Sequence, residues 1–378
     1  MTRASSAPAA SAAPLHPADA LDRVIYLLDR ALADGQKVRA YARARDAVRA
    51  MGDDELRRRD AAGTLTEVPG IGPKTAGIIS AALAGEVPEY LTVLEEDTVI
   101  DPGEGAELRA ALRGDCHLHS TWSDGGASIE AMARAAMALG HEYMVLTDHS
   151  PRLTVAHGLT ADRLRAQLDE VRELNERLAP FRILTGIEVD ILPDGSLDQS
   201  EELLAELDLV VASVHSKLRM ERTEMTRRMV TAVASPHVDV LGHCTGRKLP
   251  AALRFGGAVN GRRSAPRLPA GRSGPGAAGG RPPAQFDAEI VFAACAQFDT
   301  ALEINCRPER QDPPEDLLDL AIDWGLRFTI DTDAHAPGQL EWQAYGCDKA
   351  ARAGIPAERI VNTSSADDLL AWTASHAA

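Results

Sequence analysis

Residues 114–125 read GDCHLHSTWSDG, with His117 and His119 on either side of Leu118 and Asp124 five residues beyond the second histidine. In an extended strand, side chains at i and i+2 point to the same face, so the two imidazoles aim together. The strand breaks at Ser120, and Asp124-Gly125 reads as a turn that folds a carboxylate back toward them. Two imidazoles and a carboxylate are the ligand mix of a transition-metal site. The plain alternative is a short strand with surface histidines beside a turn, so the rest of the chain has to decide.

The elements that would position these groups recur from about residue 113 to 365. Short β-rich runs (DCHLH, YMVLT, RILTGIEV, LVVASVH, VDVLGH, ALEIN, RFTIDT) alternate there with amphipathic helical stretches such as LTADRLRAQLDEVRELNERL. Seven strands separated by helices predict parallel βα units, either as an open sheet or as a closed barrel. A barrel suits the length, although the usual strand number is eight. Metal-capable residues fall at the strand ends: His117 and His119, Asp148-His149, Glu188, His215, His243, and Asp333 with His335 just beyond. Strand six ends in Asn305, a poor ligand. In a parallel barrel all strand C-termini converge on one mouth, where active sites form.

Six of the eleven histidines lie at these ends, and the other five (16, 141, 157, 237, 376) fall in the leader, the tail, loops or strand starts. With Asp124, Glu188 and Asp333 the set is too large for one ion. It predicts two or three, with a carboxylate such as Glu188 bridging. Mixed nitrogen and oxygen ligation without thiolate favours Zn, Mn or Fe over Ca or Mg. Closely spaced metals suit phosphoester hydrolysis. Asp148 and Asp331 read as groups that orient imidazoles.

Residues 18–98 are different. ALDRVIYLLDRALAD and KVRAYARARDAVRAM space apolar residues at helical intervals, and EVPGIGPKT (67–75) leads into the apolar helix AGIISAALAG. The division predicted is a disordered leader over 1–17, a small all-α domain over 18–98, a linker over 99–112 and the barrel over 113–365. Residues 247–286 carry eight basic residues and no acidic one among Gly, Pro, Ala and Ser. This composition predicts a disordered basic insertion over about 247–284, either a tether for nucleic acid or an accident of the gene.

The 378 residues carry a net charge of −16. Such a chain is poorly suited to coating nucleic acid nonspecifically, and any DNA contact should be local and of modest affinity. No run approaches the roughly 18 apolar residues of a membrane span. Five cysteines without a CxxC pair predict reduced thiols and a cytoplasmic protein.

H-x-H, TDHS, GIEVDI, SVHS, GH and TDAH, in this order, resemble the polymerase-and-histidinol-phosphatase (PHP) domain. The resemblance implies a distorted seven-stranded βα barrel with a trinuclear centre. The ligands would be His117, His119, Asp124, His149, Glu188, His215, His243, Asp333 and His335, with Glu188, Asp124 and His149 nearest the chemistry. The long basic insertion after His243 departs from the family's pattern.

The N-terminal region resembles the helix-hairpin-helix lyase domain of bacterial family-X DNA polymerases. That implies DNA contacts at Gly70, Gly72, Lys74 and Thr75, where glycine lets the backbone approach a phosphate and the next helix offers its first amides. The polymerase palm region is absent, and the family's Schiff-base lysine aligns with Ile78. Neither polymerase nor lyase activity is therefore expected. Three functions compete: a metal-dependent phosphoesterase acting on DNA ends, a small-molecule phosphatase of the histidinol-phosphate type, and a non-catalytic DNA-binding protein with structural metals.

Overall fold

The computed structural model describes residues 15–250 and 280–376. The chain divides into two compact units, residues 1–99 and 100–378. No helix among the described residues is long and apolar enough to cross a membrane. The five cysteines are free and buried.

The first unit is all-helical: α1 (Pro17–Arg30), α2 (Gly35–Ala50), α3 (Asp53–Ala61), α4 (Pro73–Leu83) and α5 (Glu89–Asp97). Pro17 sits at the first helical position, where its missing N–H costs nothing, and His16 Nδ1 accepts from Ala18 N at 3.2 Å. Leu21, Val24, Leu27 and Leu28 form one stripe of α1, buried against Ala44, Val48, Leu56, Ile79 and Leu91. The expected leader to residue 17 lies mostly outside the described residues, and its last residue already belongs to α1.

The second unit is a nearly closed barrel of seven parallel strands: β1 (Gly114–Leu118), β2 (Tyr143–Leu146), β3 (Arg182–Asp190), β4 (Leu209–Ser213), β5 (Val240–Leu241), β6 (Ala301–Asn305) and β7 (Phe328–Asp331). They pair in sequence order. Helices lie between them, several opened by side-chain caps such as Ser128 and Thr160. Runs such as LVVAS of β4 are buried at every position, as parallel strands covered on both faces must be.

The seam between β1 and β7 has no regular ladder. Asp333 N donates to His117 O at 2.9 Å and His119 N donates to Ala334 O at 2.8 Å. Below them side chains take over. Asp331 Oδ1 accepts from Cys116 N, and Gln343 Nε2 donates to both Gly114 O and Ile330 O, each at 3.0 Å. A helix past the expected end of the barrel, Ala366–Ala374, buries Leu369 among Cys116, Tyr143 and Val145.

The basic insertion is placed at its two ends. Lys248 and Arg281 pair as an antiparallel bridge, and Arg247, Leu249, Ala284 and Phe286 are buried. The remainder of the expected disordered stretch, residues 251–279, lies outside the described residues.

Candidate metal centre

β1 places its residues by parity. Leu118 packs outward among Ile129, Met132 and Ala133 of the helix Ile129–Ala138, so His117 and His119 face the other way. Both are fully buried. Glu188, on β3, stands in the middle of the group. Its Oε2 lies 2.9 Å from His149 Nδ1, 3.3 Å from His117 Nε2 and 3.6 Å from His119 Nε2. Its Oε1 lies 2.9 Å from His243 Nε2 and 3.1 Å from His215 Nε2. Residues over 120 positions apart in sequence are thereby brought together around one carboxylate.

Eight of the nine predicted ligands fall into three overlapping groups. These are His119, Asp124, His149 and His335; His117, His119 and Asp333; and His149, Glu188 and His215. His243, the ninth, lies against Glu188. Two residues reach these positions in left-handed backbone conformations that side chains rarely adopt: His243 at φ 29° and Asp333 at φ 51°.

Nine buried polar atoms here have no hydrogen-bond partner: His117 Nε2, both ring nitrogens of His119, His215 and His243, His149 Nδ1 and Glu188 Oε1. Each such atom costs about 1–3 kcal/mol unless something satisfies it. Convergent lone pairs on imidazole and carboxylate fit divalent transition-metal ions of the Zn, Mn or Fe class. The charges interlock in the same sense. Burial pushes the Glu188 carboxyl up, but His215, His117 and His149 outweigh it and hold it well below the usual range. Burial pulls His117 down, and Glu188 and Glu303 more than reverse that.

The groups that orient the ligands differ from those expected. Asp148 meets no imidazole. It accepts from Ser120 N at 2.9 Å, Ser120 Oγ at 2.6 Å and Gln167 Nε2 at 2.6 Å, and so fixes the loop that carries Asp124. Asp331 is used on the β1–β7 seam. The carboxylate that does hold an imidazole is Glu303, which faces His117 Nδ1 at 2.6 Å and leaves Nε2 aimed at the centre. Its sequence signal is a lone acid inside the otherwise apolar run ALEI. Asn305 Nδ2 donates to Glu303 and to Asp333, each at 3.2 Å. Past β6, Arg307 donates to Asp333 O at 2.7 Å, and Arg310 Nε lies 3.1 Å from Asp333 Oδ2. Sequence reasoning passed over both arginines, although two cations directly after a strand end were visible.

In the helical unit the predicted DNA contacts form one turn. Gly70, at φ 95°, is exposed, and an added Cβ there would stand 3.2 Å from the carbonyl oxygen of Arg43. Gly72 faces open space, with nothing within 4 Å of an added Cβ, and Lys74 is exposed. Thr75 is buried, and its hydroxyl accepts from Gly72 N at 2.9 Å and donates to Gly72 O at 3.0 Å, so it shapes the turn. Ile78 is buried in the helical core.

The PHP domain family matches residues 115–246, which include seven of the nine clustered ligands. Residues 115–246 are a PHP domain. The chain is 36% identical over 278 residues to the DNA polymerase/3′-5′ exonuclease PolX of Bacillus subtilis (strain 168). That match takes in 74% of this chain and 44% of that protein, so the chain spans less than half the length of this relative. It is 25% identical over 261 residues to a probable phosphatase of Thermoanaerobacter sp. (strain X514), covering 66% of this chain and 89% of that protein. A crystal structure of histidinol phosphate phosphatase from Lactococcus lactis, complexed with zinc, L-histidinol and phosphate, is similar over 65% of this chain and 94% of its own. The TM-score is 0.39 and the identity 16%.

Proposed function

We propose that the chain hydrolyses phosphoester bonds at DNA ends, as a 3′–5′ exonuclease or 3′-phosphatase, with the helical unit gripping the backbone. The observation that carries the DNA part is the hairpin turn. Gly70 and Lys74 are exposed, half-buried Gly72 has nothing within 4 Å of an added Cβ, and the first-turn amides of α4 lack intrahelical acceptors. A phosphate can approach that backbone closely and meet N–H donors and one ammonium. The similarity to a protein named for 3′-5′ exonuclease activity supports the reading.

His117, His119, Asp124, His149, Glu188, His215, His243, Asp333 and His335 would hold two or three Zn, Mn or Fe ions, with Glu188 bridging. Such ions lower the pKa of bound water toward about 7, polarise a phosphoryl oxygen and stabilise the leaving oxygen. The chain's own residues set the direction of entry. Asp124 is the most exposed of the nine at 34% of its side chain, and His335 follows at 21%. Glu188 and His117, at 1% and 0%, are sealed beneath. Substrate therefore approaches on the Asp124–His335 side, between the loop held by Asp148 and the arginines after β6.

The second reading, a small-molecule phosphatase of the histidinol-phosphate type, is favoured by the probable phosphatase whose own length is covered to 89%. A substrate panel separates the two: 3′-phosphate DNA, nicked DNA and histidinol phosphate, each assayed with Mn and with Zn. The DNA reading expects turnover of a DNA end with kcat/KM above that for histidinol phosphate. The reverse order would give first place to the small-molecule reading.

A further inference from the structure

The two placed ends of the basic insertion form a short ladder. Lys248 N donates to Arg281 O at 2.9 Å and Arg281 N donates to Lys248 O at 2.8 Å. A hydrogen-bonded antiparallel pair sets its two side chains on the same face, where like charges repel. No carboxylate among the described residues pairs with either cation. Arg281 Nε donates to a backbone carbonyl, Gly246 O, at 2.7 Å. The nearby acids have nearer partners, Glu309 Oε1 pairing with Arg307 at 3.1 Å and Asp312 accepting from Thr245 Oγ1 at 2.7 Å, and they attract the two cations only from beyond ion-pair distance.

This pair is contiguous with the metal centre. The residues on either side of Lys248 bond the Arg310 segment, Arg247 Nε donating to Arg310 O at 2.9 Å and Leu249 N to Glu309 O at 2.6 Å. Lys248 and Arg281 are held below their usual pKa by partial burial first and by the charge of Arg310 next. Arg310 in turn stands 3.1 Å from Asp333. A row of cations thus starts at a candidate metal ligand and continues through Arg310 to two cations that no described carboxylate pairs with. A phosphate monoester seated at the metals would answer only the inner end of this row. Its outer end calls for a ligand that continues away from the scissile group as a chain of negative charges.

We propose that Lys248 and Arg281, together with Arg310, form a subsite for a phosphodiester of a polynucleotide strand, beside the phosphate that the metal centre hydrolyses. This rests on the DNA-end reading and deepens it by assigning the barrel, as well as the hairpin, a grip on the strand. Phosphate answers the mutual repulsion of the cations, and releasing its counterions makes binding salt-dependent.

The test uses the full-length, metal-loaded protein and the variants Lys248→Ala/Arg281→Ala and Lys248→Glu. The second is needed because the Arg281 side chain also holds the Gly246 carbonyl, whereas Lys248 is exposed. Two quantities are read: binding of a fluorescent oligothymidylate across a salt series, and the ratio of kcat/KM for that strand to kcat/KM for a small aryl phosphate. The subsite expects each variant to weaken strand binding about tenfold, the loss of a hydrogen bond to a charged group. The ratio should fall by a similar factor, chiefly through KM. The log–log salt slope should drop by about 0.7 per contact removed on a single strand. Strand turnover that neither variant affects overturns the subsite and leaves the DNA-end reading standing. Binding that depends on the pair without any strand turnover upholds the subsite and overturns the DNA-end reading. A wild-type protein that neither binds nor cleaves the strand overturns both.

Discussion

The helical unit and the mouth of the barrel treat buried polar atoms in opposite ways. In the helical unit the polar groups that enter the core find partners. Arg30 donates to Thr98 Oγ1 at 2.7 Å, the Thr98 hydroxyl donates to Leu94 O at 2.7 Å, and the Thr75 hydroxyl closes the hairpin turn. Among its described residues a single buried side-chain atom, Tyr90 Oη, is unpartnered. Around Glu188 there are nine. A protein of ordinary stability, about 5–15 kcal/mol, does not leave so many lone pairs unanswered without a ligand to meet them. The first region is complete as a fold and offers its surface, whereas the second is complete only with ions in it.

The sharpest way to break this contrast is Glu188→Gln. Five imidazoles converge on that carboxylate, so losing its charge should cut phosphoester hydrolysis on the order of 100-fold or more and remove at least one metal ion. Far-ultraviolet circular dichroism should stay as in the wild type. A variant that keeps its metals and activity would show that Glu188 is a bystander.

Glu303→Gln comes next. The carboxylate fixes His117 without facing the ions, so metal affinity should fall by about 10–100-fold, measured by competition with a chromophoric chelator. An unchanged affinity would place Glu303 outside the machinery.

On the other side of the contrast, Gly72→Val should leave the fold intact, because an added Cβ there meets nothing within 4 Å. It should raise KM for DNA about tenfold through loss of close phosphate approach, with aryl phosphate hydrolysis as the internal control. Equal KM values would remove the hairpin from the account.

The smallest effect concerns Asp29 on α1, whose carboxyl burial pushes up to about 7. Its folded pKa lies above its unfolded value, so the folded state holds the proton more tightly. Stability is then greatest below about pH 4 and declines as pH rises to about 7. Asp29→Asn should therefore stabilise the helical unit at pH 8, by about 1–2 kcal/mol after solvent screening, and change little at pH 4. Urea unfolding of that unit at both values checks the sign.

What could be read from the sequence follows the same division. The nine candidate ligands were legible because a strand end and an i, i+2 spacing are local facts, and parallel topology carries them to one mouth. Seven strands were legible as β-rich runs, even β5, whose ladder is only two residues. Orientation was not. His117 and Glu303 are 186 positions apart, and their pairing depends on which strand stands across the barrel. Asp148 and Asp331 sit beside metal-capable residues in sequence, yet the loop and the seam claim their oxygens. The ends of the insertion looked structureless by composition, but Leu249 N finds Glu309 O and the ladder between Lys248 and Arg281 satisfies the backbone. Composition measures the capacity to form a core and is blind to a two-residue bridge.

The most direct test of the central claim is elemental analysis of freshly purified, folded, full-length protein. Nine converging candidate ligands, Glu188 among them, predict two or three transition-metal ions per chain. Chelation should abolish phosphoester hydrolysis and lower the melting temperature of the barrel, since ions that bind the folded state stabilise it. One ion or none, in protein that hydrolyses phosphoesters, would contradict the account.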